Sequence, residues 1–214
     1  MSEINPKLAK ELFTYLTSGE ANIFYLSKVI KICKNHNYNK RECFIEAASM
    51  FGEPTNIDHL YMLSQCYVNA GAEYRPQAIV YLTKFIESGA VWSGTTKGFI
   101  DMGDHVVSQL ASCKSFVWYQ LGKAYEGEYM FIEARNAYLR AFEIDPYCTP
   151  AVCGIADTYI KLNDLNGGIN FLSQFSKSQY KDLKLTAKEK TKELKEKKAS
   201  GYVYKSRPRK ANGK

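Results

Sequence analysis

"WYQLGKAYEGEYMFIEARNAYLRAFEIDP", residues 118–146, decides how this 214-residue chain is read. Leu121 and Tyr125 stand four residues apart, with Trp118 one turn earlier, so the three form one stripe on a helix. Gly122 and Ala134 are small residues at the points where two antiparallel helices would have to approach closely. Tyr138 and Ala141 continue that contact on the second helix. Pro146 ends it, because a proline ring cannot continue a helix from its interior. By this reading the conspicuous residues are packing residues, and any ligand must be met by the residues between them.

Trp118, Leu121, Gly122, Tyr125, Ala134, Tyr138, Ala141 and Pro146 resemble the signature of the tetratricopeptide repeat, W-x2-L-G-x2-Y…A-x3-F…P over ~34 residues, with Tyr at 138 where the pattern has Phe. The flanking stretches match more loosely. Residues 149–182 keep Ile155, Ala156, Tyr159, Leu172 and Phe175, with Val152 in place of Trp and Gly168 in place of Ala. Residues 57–90 keep Leu60, Leu63, Ser64 and Tyr67, and their second helix (Ala78, Leu82, Phe85) falls into register after two inserted residues near "AEYR". A degenerate unit across 20–54 would need four insertions.

The resemblance implies an all-α fold, a solenoid of helical hairpins wound as a right-handed superhelix, with extra N-terminal helices and a C-terminal helix. The expected layout is N-terminal helices over 1–54, a repeat-like hairpin over 55–90 and an inserted segment over 91–114. The best-matching repeat at 115–148 follows, then a third hairpin at 149–182, a charged capping helix at 183–198 and a disordered basic tail at 199–214. "SGAVWSGTTKG" at 88–98 is the clearest break, and helix is expected to resume near Asp104 and run through Tyr125. Asn5 and Pro6 suit the start of the first helix, with Leu8, Leu12, Tyr15 and Leu16 on one face. Ile23, Leu26, Ser27, Ile30 and Cys33 line a second. Cys43, Ala47 and Met50 line a third, which ends before Pro54. Thr55 or Asn56 can cap the helix that follows.

The formal charge of +7 is unevenly placed. Residues 181–214 hold eleven Lys and two Arg against one Asp and three Glu, a balance of +9, which leaves the rest of the chain at −2. A high pI is therefore no argument that the body binds nucleic acid. With 45% hydrophobic and 24% charged residues the chain can bury a sizeable core. The N-terminus lacks a basic-then-apolar leader pattern, and no apolar run approaches the ~18–20 residues that span a bilayer. Six scattered cysteines without a CxxC pair favour a reduced cytoplasmic setting and no membrane partner.

Chemistry is sparse in the sequence. His36, His59 and His105 are isolated, Cys33-x2-His36 has no second ligand pair at zinc spacing, and Cys148-x4-Cys153 has no nearby His. "SGTTKG" has the wrong spacing for a phosphate loop. No catalytic set, metal site or cofactor motif shows itself, so a non-enzymatic scaffold is expected, with no cofactor.

In such repeats the first helices line a concave groove that binds a protein or peptide partner. Carried onto this chain, the groove-lining residues are Tyr61, Gln65 and Asn69; Phe116, Tyr119, Lys123 and Glu126; and Cys153, Asp157 and Lys161. Tyr61, Phe116 and Tyr119 either offer stacking surface there or pack against the inserted segment and terminal helices. Repeats that clamp a C-terminal carboxylate use Lys, Asn and Arg, whereas this chain offers Tyr61, Gln65, Tyr119, Gln120, Lys123, Pro150 and Gly154. With Lys123 the one base, that specialisation is not expected. Lys205, Arg207, Arg209 and Lys210, interleaved with Tyr202 and Tyr204, could grip nucleic acid or an acidic partner; the alternative is a solubilising tail.

Overall fold

Asn39 and Glu42 show how locally the helices are specified. The Asn39 Oδ1 accepts from the Glu42 N–H and the Glu42 Oε2 accepts from the Asn39 N–H, both at 3.0 Å. This reciprocal box satisfies two of the donors that a helix start leaves open. It opens α2 (Lys40–Phe51), which follows α1 (Pro6–Thr17) and a helical turn at 31–35. The computed structural model describes residues 6–17, 31–51, 53–54, 57–88, 98–101, 106–109 and 113–205. The expectations for Asn5, Ile23, Leu26, Ser27, Ile30, Thr55 and Asn56 lie outside those residues.

The body continues as α3 (Ile57–Ala70), a single 3-10 turn (Ala72–Tyr74), α4 (Arg75–Glu87), α5 (Cys113–Gly127), α6 (Phe131–Ile144), α7 (Thr149–Lys161), α8 (Leu165–Ser173) and α9 (Lys181–Ala199). From α2 onward each of these helices packs on the next in sequence. The first helices of successive hairpins also touch, α5 against α7 and α7 against α9. The result is an all-α stack of helical hairpins whose core is a string of local clusters. Leu8, Leu12, Phe44, Ala47 and Leu63 form the first, Leu82, Phe85, Val117 and Leu121 the next, and Val152, Leu172 and Leu194 the last. Each cluster joins neighbours in the chain, as expected of a repeat architecture.

The hairpins repeat their turns as well as their helices. After α5, the Tyr129 N–H donates to Glu126 O and the Met130 N–H to Tyr125 O. After α7, the Asn163 N–H donates to Ile160 O and the Asp164 N–H to Tyr159 O, at matching distances of 2.9–3.1 Å. Tyr129 (φ 62°) and Asn163 (φ 59°) both hold the left-handed conformation that lets these bonds close the helix end. Asp164 then caps α8 by accepting the Gly167 N–H at 2.8 Å.

Two expectations are corrected. Helix does not resume near Asp104. Beside that position β2 (Val106–Gln109) pairs antiparallel with β1 (Gly98–Asp101), Phe99 opposite Ser108 and Ile100 opposite Val107, and α5 begins at Cys113. Ile100, Val106 and Val107 are β-branched and favour extended backbone, but runs of four residues are too short for their period to be read. The tail, in turn, is ordered at its start. Gly201 (φ 65°) turns the chain off α9, and the Tyr204 N–H then donates to Asn163 Oδ1 at 2.7 Å while Asn163 Nδ2 donates to Tyr204 O at 3.3 Å. The Tyr204 ring meets Phe131 edge-on at 5.6 Å, and Lys197 lies 4.4 Å from the Tyr202 ring centre. Backbone pairing to one amide and an aromatic contact hold a segment whose composition alone reads as disordered.

Candidate functional site: the face of the first helices

Tyr138 organises this face from behind. It projects from α6, is fully buried, and lies between two glycines. A Cβ on Gly122 of α5 would stand 2.5 Å from its ring, and one on Gly154 of α7 would stand 2.7 Å away. Only hydrogen at both positions lets the ring pass between the two first helices. The phenol reaches through to Glu126 Oε2, to which it donates at 2.6 Å. Tyr at 138 in place of Phe therefore adds a buried hydroxyl whose acceptor is supplied by the neighbouring helix.

Glu126 is the hub of the polar arrangement. Its other oxygen, Oε1, accepts from Lys161 Nζ of α7, and Lys123 Nζ lies 3.8 Å from Oε2. Burial pushes the Glu126 carboxyl up, but the Lys161 and Tyr138 hydrogen bonds and the two lysine charges outweigh it. The net value lies below the ordinary one. Tyr138 is pushed far up by burial and by Glu126, so it stays a donor. Tyr119 stacks obliquely on it at 5.7 Å and is itself pushed up to about 12, by burial first and then by Cys148, Glu126 and Cys153.

Two further rungs join successive first helices. Gln65 of α3 and Gln120 of α5, both buried, each donate Nε2 to the other's Oε1 at 2.7 Å. Lys190 of α9 donates to Asp157 Oδ1 of α7 at 2.7 Å and to Glu193 Oε2 at 3.1 Å. Burial pulls the Lys190 ammonium down, but these carboxylates more than reverse it and hold it above its usual value. Thus α3, α5, α7 and α9 are joined by an amide pair, a carboxylate–lysine pair, and a second carboxylate–lysine pair, in chain order.

The ten groove residues expected from the sequence divide by this geometry. Gln65 is corrected: it is 1% exposed, and its amide is bound to Gln120 rather than offered to a ligand. Asn69 donates to the Gln65 carbonyl at 2.8 Å. Tyr61 is half-buried and tilts against Phe85 at 5.2 Å. Glu126, Asp157 and Lys161 are held in the rungs, and Lys161 also lies 5.5 Å from the Phe131 ring centre. Phe116, Tyr119 and Cys153 are half-buried, and Lys123 is 59% exposed along its side chain. Gln120 and Gly154 stand at positions compared with the carboxylate clamp, whereas Tyr138 and Lys190 are not among the residues the sequence places on this face. Tyr138 carried a signal in its departure from the repeat pattern, whereas Lys190 becomes visible only once α9 is laid beside α7.

Of the tail residues expected to bind anions, Lys205 is exposed, and Arg207, Arg209 and Lys210 lie outside the described residues. Trp118 is half-buried between the Leu121 and Ala141 clusters rather than enclosed. Cys33 lies beside Cys43, while His36 pairs with Glu11 at 2.9 Å, so these two residues face different partners. Among the described residues no three His, Cys, Asp or Glu side chains converge as metal ligands. Burial pushes the Cys33, Cys43, Cys148 and Cys153 thiols up, the opposite of what an activated nucleophile requires.

No family model matches the chain, and no curated protein matches it. Among solved structures it is similar to MamA of AMB-1 at 13% identity and a TM-score of 0.46, over 89% of this chain and 91% of that one. The class of the fold, a stack of repeat-type helical hairpins, rests on the packing around Tyr138 and the repeated turns rather than on that likeness. Among the described residues no helix is long and apolar enough to cross a membrane.

Proposed function

We propose that this chain is a non-enzymatic scaffold that binds a protein or peptide along the face of α3, α5 and α7. The observation that supports it is the division of labour on that face. Polar rungs fix the spacing of the first helices, while half-buried Tyr61, Phe116 and Tyr119 and the exposed Lys123 amine remain along it. Aromatic edges beside a cation suit an extended peptide or a partner helix. The face carries Lys123, Lys161 and Lys190 against Glu126, Asp157 and Glu193, so recognition there is not driven by net charge. A reduced, cytoplasmic setting goes with this reading.

Affinity capture with the wild type and with Lys123→Glu combined with Tyr119→Phe tests it. Because the variant sets an acid beside Glu126, circular dichroism and a thermal melt check that it keeps the fold. A partner retained by the wild type and lost by the variant is the expected result. Identical partner profiles from two equally folded proteins rule the face out.

A further inference from the structure

The solvent side of α9 carries a second surface, away from the groove. At 3.6 residues per turn, Lys181, Lys184, Lys188, Lys192 and Lys195 fall within an arc of about 80° on one side of the helix. All five are exposed. The stripe runs about 21 Å, with successive lysines about 4.5–6 Å apart along the axis. The acidic residues of the helix, Asp182, Glu189, Glu193 and Glu196, are gathered on an adjacent flank. Leu183, Ala187 and Leu194 take the opposite side and are buried, with Lys190 turned toward Asp157.

This segregation is not what helix solubility requires. A solvated helix gains from acids and bases alternating at i,i+4, as Glu193–Lys197 and the loose 3.8 Å Lys192–Glu196 contact do here. Lys181, Lys184, Lys188 and Lys195 have no acidic partner within 4 Å among the described residues. Like charges three and four apart repel, so the stripe weakens the isolated helix and calls for a polyanion.

We infer that the lysine stripe of α9 binds the phosphate backbone of a nucleic-acid strand without reading its sequence. Three observations choose this occupant. Leu183, Ala187 and Leu194 of α9 are already in the core, which leaves the helix no continuous apolar face to insert into a lipid surface. Among the described residues the large exposed apolar side chains beside the stripe are Leu185 and, at the start of the helix, Tyr180, too scattered to anchor a peptide by apolar contact. Evenly spaced ammonium groups match a polymer that carries a charge on every unit, and lysine contacts phosphate as a point charge rather than through a base-reading fork.

Fluorescence anisotropy with a labelled oligothymidylate, titrated over a range of salt, tests the inference. The wild type should bind with a log–log salt slope of about −3, from four to five neutralised phosphates on a single strand. Lys184→Glu, Lys188→Glu and Lys195→Glu together should weaken binding at least ~tenfold, and the neutral Gln triple should flatten the slope by about 2. Circular dichroism checks that both remain helical. A chain ending at Lys205 should keep the slope, separating the helix from the tail. The inference is overturned by absent wild-type binding, by triple variants that bind unchanged, or by binding lost on truncation alone. Polyglutamate or phosphatidylserine vesicles binding as tightly as the oligonucleotide would overturn it equally. The groove reading is untouched by any of these outcomes, because the lysines changed lie on another face.

Discussion

Gly122 is the residue on which the geometry leans hardest. A methyl group there would meet the Tyr138 ring at 2.5 Å, and the ring cannot retreat, because Gly154 confines its other side. Gly122→Ala should therefore destabilise the fold by about 1–3 kcal/mol even though alanine is the better helix former. Thermal or urea unfolding measures it, and an unchanged midpoint would show that the ring has room to move. Glu126 gives a second test. Its folded value is depressed, so its stabilising contribution is complete above its ordinary 4.5 and is lost as pH falls through the lower folded value. Glu126→Gln should flatten that part of the stability–pH profile, and a wild-type profile already flat below 4.5 would contradict the assignment. Neither feature was legible as such. The sequence marks Gly122 as a close approach, but the object approached, a tyrosine shared with Gly154 and Glu126, depends on residues 12–16 positions from that tyrosine on either side of it in the chain.

At the scale of the element, the helices were largely legible and the connections were not. Periodicity over nine or more residues marks α3 to α8, because an apolar stripe is a property of a whole helix. The two strands are four residues each, and the docked tail depends on one amide in a turn 41 residues earlier. Asn163→Gly, which keeps the left-handed turn at φ 59°, should remove both side-chain bonds to Tyr204 and so speed tryptic cleavage after Lys205, with cleavage elsewhere unchanged. Equal cleavage rates would mean that Phe131 alone holds the segment. The matching position in the preceding hairpin is Tyr129, a bulky residue at φ 62° that is 45% exposed. Asn tolerates this conformation better, so Tyr129→Asn should raise stability by about 0.5–1 kcal/mol in a thermal melt. A fall would indicate that the ring's edge contact with Phe131 outweighs the backbone strain.

For the whole molecule, what the sequence supplied was a set of helices to line the groove, and what it withheld was which of their polar residues point at one another. Gln65 and Glu126 look alike as groove candidates, yet one is enclosed against Gln120 and the other is shared by two donors, with a lysine charge 3.8 Å away. The chemistry of these rungs changes along the stack, and that has a consequence for how the molecule comes apart. The α3–α5 rung is an uncharged amide pair, indifferent to protons, while the α5–α7 rung needs the Glu126 carboxylate, held below its ordinary value, to keep its charge. Acid should therefore act with a direction, loosening the α5–α7 junction while the α3–α5 junction holds. Hydrogen exchange followed as the pH is lowered, corrected for intrinsic rates, should show α7 losing protection before α3. Simultaneous loss would mean that the stack opens as one unit, with no grain from end to end.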